Sequence, residues 1–281
     1  MNLTSSDLSS IESKSETAGA QTLRRGLTVL RLLTRVGPSG LRMSEIGRRA
    51  NLRKQTAIRL TKTLADEGFV VRDMTSGCYR LGPEAFAIGL AAEPSYALQR
   101  LAAPTLKALA LESSDTVFFF VLHGYESICL SRNEGDFPIR NQLVKPGDRW
   151  PLGVGAGSCA LLAAMANDEI EEVLRINKGV REERFPRCTD NEIQSMIKGA
   201  RDCGYVVQPG LVLEDSWAVG VVIRDVNMRP VASISIAALA SRLGPARSAA
   251  LGNRLKGASA ELLALQRSSS PASATSQPAA V

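Results

Sequence analysis

The groups able to do chemistry in this chain fall in a few short runs. Lys54, Gln55, Thr56, Arg59 and Lys62 bring cations and hydrogen-bond donors together within nine residues. Those are the side chains that pair with base edges and phosphates of a nucleic acid. Gln55, Thr56 and Arg59 suit base reading, whereas Arg53 and Lys54 attract any phosphate backbone regardless of sequence. A second run, Gly153-Val154-Gly155-Ala156-Gly157, precedes a helical stretch. Glycines there let backbone N–H groups approach an anion at the positive end of a helix, or simply make a tight strand-to-helix turn. The spacing is not G-x-G-x-x-G, so a dinucleotide site is not indicated. Ser158 and Cys159 follow and have nucleophile chemistry, but no base accompanies them. The single histidine, His123, sits in the turn-like Leu122-His123-Gly124-Tyr125, which leaves no histidine triad or multi-histidine metal site.

These runs need elements to hold them. Leu23, Leu27, Leu30 and Leu33 recur at helical spacing and predict a first helix with Arg24, Arg31 and Arg35 on its polar face, ending near Gly37-Pro38. Ser44 offers an N-cap for a short second helix through Ile46 and Ala50, and Asn51-Leu52 turns the chain into a third, Arg53 to Glu67. In that third helix Ile58, Leu60, Thr61, Leu64 and Ala65 are expected to face inward. Gly68 suits its C-terminus, and Phe69-Val70-Val71, the turn Thr75-Ser76-Gly77 and Cys78-Tyr79-Arg80-Leu81 read as a hairpin. Helix, turn, helix and wing in that order predict a winged helix-turn-helix over 21–82, with Arg24, Ser44, Arg72 and Arg80 joining the DNA-facing set.

Charge supports a local polyanion-binding unit. Gln21 to Gly82 carries thirteen Lys/Arg against four Asp/Glu, while the whole chain has a net charge of +6, so the remainder is slightly acidic. The partner is double-stranded DNA. At 281 residues and 44% hydrophobic the chain has material for two cores. Stretches 1–20 and 268–281, rich in Ser, Thr, Ala and Pro, are expected to be disordered. Residues 83–97 read as a helical linker, part of an Ala- and Leu-rich stretch from Pro83 to Ser113 in which Pro94 and Pro104 are breaks. The segment 98–267 alternates strand candidates (Thr116 to Leu122, Ser127 to Arg132, Val219 to Arg224, Val231 to Ala237) with helical ones (Gly157 to Ala166, Thr189 to Cys203, Pro245 to Gln266), an α/β or α+β pattern. Phe118 and Phe120 alternate on one strand, where core is the expected role. No apolar run is long enough for a membrane span and the N-terminus lacks a signal-peptide core, so a cytoplasmic protein with no membrane partner is expected. The five cysteines are scattered and never paired as C-x-x-C, which points to reduced thiols; a thiol-based redox switch would require one to be exposed and acidic. No catalytic residue, metal or cofactor is expected.

Five segments together resemble one family. Leu23-Arg24-Arg25-Gly26-Leu27 to Leu33, Asn51 to Leu60 and Tyr79-Arg80-Leu81-Gly82, followed by Pro151 to Ser158 and Pro230 to Ala238, are similar to the IclR-type bacterial transcriptional regulators, over about Thr22 to Gln266. The resemblance implies a GAF-like effector-binding domain after the DNA-binding one. It also implies a small organic acid seated beside Gly153, Gly155, Ala156 and Gly157, with Gln208, Ala218, Ser235 and Ala237 at pocket-lining positions. Gln208 and Ala218 stand where some members have Asp and Cys, implying a less polar ligand. Homodimers that pair again as homotetramers are implied as well.

Overall fold

The computed structural model describes residues 18–92, 97–139 and 143–268. Most of the two terminal stretches expected to be disordered, and Pro94, lie outside the described residues; Ala18 to Ala20 and Ser268 are helical instead. The chain divides into two compact units, Met1–Tyr96 and Ala97–Val281. Among the described residues no helix is long and apolar enough to cross a membrane.

The first unit runs α1 (Ala18–Thr34), α2 (Met43–Arg49), α3 (Lys54–Asp66), β1 (Val70–Arg72), β2 (Tyr79–Leu81) and α4 (Pro83–Ala92). Val29, Leu32 and Leu33 of α1 are buried with Leu41, Ile46, Ala50 and Val70. Leu23 and Leu27, expected on that face, are exposed. The buried stripe passes instead through Gly26, Val29 and Leu33, one residue out of step with the leucine series. The second helix also begins earlier than expected. Arg42 is its N-cap, and the Arg42 N–H donates to the Glu45 carboxylate at 3.2 Å, so Ser44 lies inside the first turn rather than capping it. Asn51 takes the left-handed conformation (φ 51°) that turns the chain into α3.

Within α3, Ala57, Leu60 and Thr61 are buried and Leu64 is half-buried, a stripe at i, i+3, i+4, i+7. Ile58, expected inward, is one position off that stripe and exposed. The helix ends at Gly68 (φ 74°), whose N–H donates to the Ala65 carbonyl at 3.0 Å. In the wing, Val70 pairs with Leu81 and Arg72 with Tyr79. Its turn is organised by Asp73, whose Oδ1 accepts from Ser76 N–H (2.8 Å), the Ser76 hydroxyl (2.9 Å) and Thr75 N–H (3.1 Å). The bonds from Ser76 are the main cause holding the Asp73 carboxyl below its ordinary value. Leu41 and Tyr79 exchange backbone bonds of 2.9 and 2.7 Å, fastening the wing to the helices. Gly40 makes this approach possible, since a Cβ there would sit 2.5 Å from the Tyr79 carbonyl oxygen. Thr61 is fully buried and its hydroxyl has no partner. We therefore expect Thr61→Val, which keeps the shape and removes the unsatisfied group, to stabilise the unit by about 1 kcal/mol in urea denaturation.

The second unit runs α5 (Ala97–Ser113), β3 (Thr116–His123), β4 (Glu126–Asn133), β5 (Arg149–Pro151), α6 (Ala156–Ala163), α7 (Asn167–Arg184), α8 (Asp190–Cys203), β6 (Val206–Leu213), β7 (Ser216–Arg224), β8 (Pro230–Leu239) and α9 (Pro245–Ser268). The strands form one sheet in the order β5-β4-β3-β8-β7-β6, with every neighbouring pair antiparallel. Strand alternation divides the core in two. Phe118 and Phe120 pack with Leu161, Leu162 and Ile193 on the α6–α8 face. Val117, Phe119, Ile234 and Ile236 pack with Leu106, Leu255 and Leu262 on the α5–α9 face. Pro104 does not break α5. It lies on the exposed side while Ala102, Leu106 and Leu109 are buried on the other, so packing outweighs the one helical hydrogen bond that proline cannot make. The elements not anticipated from sequence are β5, β6 and α7.

Candidate DNA interface and effector cavity

In the first unit, α3 offers a donor-rich face. At 3.6 residues per turn Gln55, Arg59 and Lys62 align on one stripe, diametrically opposite the Ala57-Leu60-Thr61-Leu64 stripe that anchors the helix. All three are exposed, as are Arg53, Lys54 and Ser44, while Thr56 is half-buried. Arg53 is the N-cap residue in extended conformation (ψ 143°), placing its side chain at the helix start. Arg24 is exposed on α1. Arg72 and Arg80 are exposed in the wing, but the register separates them. Arg72 shares a face with Tyr79, over whose ring its guanidinium sits 5.9 Å from the centroid, and Arg80 shares the opposite face with Val71.

In the second unit, the glycine run becomes the entry to α6. Gly155, its N-cap, has φ 81°, and the first helical bond runs from Cys159 N–H to the Gly155 carbonyl (2.9 Å). The N–H groups of Ala156, Gly157 and Ser158 thus precede the first intrahelical bond and face the cavity end of the helix. The helix lies directly on the sheet because β7 carries Gly220 beneath it; a Cβ there would be 2.7 Å from the Ala156 carbonyl. Gly155, Ala156, Gly157, Gln208, Ala218, Ser235 and Ala237, the residues singled out from sequence, all line one cavity. Gly153 does not. Its φ of 93° turns it toward the core, where a Cβ would meet Ile193 at 3.0 Å. Phe118 and Phe120 serve both roles, lying in the core cluster and in the cavity wall.

Among the described residues no charged side chain lines this cavity, whose volume is about 50 Å³. Its polar groups are few. Gln208 is 3% exposed and its Nε2 has no partner; Ser235 is also buried in the wall. Ser233, behind Gly157, is fully buried with an unpartnered hydroxyl. Ser158 is occupied by a short contact with the buried Ser127 hydroxyl. Unpaired buried donors at a helix start describe a seat for an acceptor-bearing molecule. Trp150, its ring tilted 33° against Phe185 with centroids 5.1 Å apart, also lines the cavity. It was missed from sequence because β5 is three residues long; a tryptophan directly before Pro151-Leu152-Gly153 was the available signal.

Nucleophile chemistry finds no support at α6. Cys159 is buried, and burial pushes its thiol up to about 12; burial likewise raises Cys129 to about 12 and Cys188 to about 11. A thiol at 12 leaves about one molecule in ten thousand as thiolate at pH 8. Cys203 is exposed and Cys78 half-buried. With an aromatic disulfide reagent at pH 8 we expect no more than two of the five thiols to react in the folded protein, and all five after denaturation.

Two family models match the chain in sequence order: the IclR helix-turn-helix domain over residues 22–74 and the bacterial transcriptional regulator IclR C-terminal domain over residues 92–263. The chain is 30% identical over 228 residues to the HTH-type transcriptional repressor AllR of Salmonella typhimurium, covering 80% of this chain and 82% of that protein. It is 29% identical over 241 residues to AllR of Klebsiella pneumoniae, covering 85% and 87%. Among solved structures, an IclR transcriptional regulator from Alicyclobacillus acidocaldarius superposes with a TM-score of 0.71 at 23% identity, covering 88% of this chain and 98% of that one. An IclR homologue from Microbacterium hydrocarbonoxydans, crystallised with 4-hydroxybenzoate, gives 0.71 at 22%, covering 88% and 100%. A helix-turn-helix unit and a sheet unit, each matched by its own family model, make this chain a member of the IclR family of bacterial transcriptional regulators, a DNA-binding regulator rather than an enzyme.

Proposed function

We propose that this protein binds operator DNA through α3 and the wing and that a small organic acid, seated at the start of α6, sets its affinity for that DNA. Gln55, Thr56 and Arg59 read bases, while Arg24, Ser44, Arg53, Lys54, Lys62, Arg72 and Arg80 hold phosphates. The protein acts as a homodimer, able to pair into a tetramer, because one short recognition helix contacts few base pairs and a two-fold assembly doubles them. The relatives named as repressors support repression as its mode.

The observation that carries the effector reading is the unpartnered Nε2 of buried Gln208 facing the same cavity as the free N–H groups of α6. A carboxylate on those N–H groups, with an apolar body against Phe118, Phe120 and Trp150, satisfies the donors and fills the space. The 4-hydroxybenzoate held by the Microbacterium relative supports the class. A thermal-shift screen of organic acids tests it: a true effector at about a hundred times its dissociation constant adds roughly 2.7 kcal/mol, and a panel of aliphatic and aromatic acids that leaves the melting temperature unmoved contradicts the proposal. Gly155→Val is expected to weaken effector binding at least tenfold with the fold retained by circular dichroism. The first added atom finds room, 3.8 Å from Trp150, so the effect comes from the positive φ that valine resists, which displaces the N–H groups from the ligand. Undiminished affinity in the folded variant would remove this loop from the site.

A further inference from the structure

The enclosed space beside α6 is small for an organic acid. A well-studied apolar cavity of about 150 Å³ accommodates benzene, whereas the space here is about 50 Å³. A second cavity of about 150 Å³ adjoins it, and the two share Leu213, Ser216 and Ala237 as common wall.

Strand register sets them in line. Across the sheet, Phe118, Ser235 and Gly220 form one row; Thr116, Ala237, Ala218 and Gln208 form the next; Leu239, Ser216 and Leu213 form the last, at the end of the sheet. The first turn of α6 rests on Gly220 in the first of these rows. The first cavity touches all three rows, reaching Ser216 and Leu213 of the last, and the second shares Ala237 with it and runs on to Leu239. Leu239 lies four residues along the strand from Ser235, a span of about 13 Å at ~3.3 Å per residue. A benzoate with its carboxylate on α6 does not reach across it.

The second cavity also specifies what its end of a ligand must offer. Phe137 and Ile139 give it apolar walls. Of its two carboxylates, Asp115 is already taken by Arg247 (2.6 Å) and Arg242 (3.2 Å). Asp215, exposed in the β6–β7 turn, lines the cavity and its carboxylate has no partner among the described residues. A carboxylate accepts and does not donate, so a ligand group that meets it is a donor.

We infer that the effector is an elongated aryl carboxylate threading both cavities, its carboxylate on the first turn of α6 and a hydrogen-bond donor at its far end on Asp215. This rests on the organic-acid reading above and narrows it to an acid with an extended body.

Titration calorimetry on the full chain with four probes tests it: benzoate, cinnamate, 4-hydroxycinnamate and 4-methoxycinnamate. The expected result is that 4-hydroxycinnamate binds at least tenfold tighter than benzoate and about fivefold or more tighter than 4-methoxycinnamate, whose far oxygen cannot donate. In Asp215→Ala the preference for hydroxyl over methoxyl should fall to within twofold, while circular dichroism and the melting temperature report an intact fold. Benzoate binding as tightly as the cinnamates overturns the two-cavity ligand and leaves the organic-acid reading standing. An unchanged hydroxyl preference in Asp215→Ala overturns the far-end contact. Failure of all four probes also overturns the inference, and the broader thermal-shift panel then decides separately whether any acid is the effector.

Discussion

Replacing Gln55 and Arg59 together by alanine should abolish sequence-selective DNA binding while leaving the first unit folded. Both side chains are exposed on the stripe of α3 opposite its buried residues, so neither contributes to the core. A bidentate base contact is worth about 1 to 3 kcal/mol of discrimination. Two such contacts in each of two half-sites bring the loss to the size of a typical specificity margin, about 4 to 10 kcal/mol. Competition between operator and scrambled duplexes reads this directly: the double variant should bind both about equally. Lys54→Ala serves as the contrast. It should lower affinity for every sequence alike and make the salt dependence shallower by about one unit, because it removes a phosphate contact and no base contact. Full operator selectivity in the double variant would move the reading surface off α3.

Asp115→Ala is expected to cost the second unit about 3 kcal/mol or more. Asp115 is buried at the junction of α5 and β3, and its carboxylate binds two arginines, Arg247 at 2.6 Å and Arg242 at 3.2 Å. The same two guanidinium groups donate to the Ser113 carbonyl at the end of α5, and Arg242 lies 3.8 Å from the Phe137 ring centroid. Removing the anion therefore leaves two cations facing each other with only neutral partners, the situation in which losing one member of a buried pair costs about 3 to 5 kcal/mol. Partial exposure of both arginines places the effect toward the lower end of that range. Urea denaturation should show a lower midpoint with an unchanged slope. A loss below 1 kcal/mol would mean that water replaces the carboxylate without penalty.

The first unit was largely legible in the sequence because its signals are local: charge concentration, the Asn51 turn, the Gly68 stop and a hairpin with Gly77 at its turn. What failed there were facing assignments. Leucines at 23 and 27 and Ile58 have the right chemistry for a core, but a one-residue offset in helical phase leaves them in solvent, and hydrophobicity alone does not fix phase. In the second unit the long strands announced themselves through β-branched and aromatic runs, whereas β5 is too short for a pattern. β6 contains Pro209 and Gly210, residue types that weaken a strand pattern. The cavity residues came from resemblance, and the structure brings all but Gly153 together. That Gln208 is buried without a partner, and that a second cavity continues from the first, follow from strand register, which no local pattern reveals.

The account stands on coupling between the two units, and the operator affinity of the wild-type chain with and without its effector measures that coupling. A duplex selected from a random library serves as operator, its binding followed by fluorescence anisotropy at fixed salt, with the acid from the thermal-shift screen added to saturation. The predicted result is a shift in dissociation constant of about 5- to 150-fold, the range that 1 to 3 kcal/mol of coupling supplies, with the affinity for the acid shifted by the same factor when DNA is present. Selective DNA binding that stays the same at saturating acid would contradict the account.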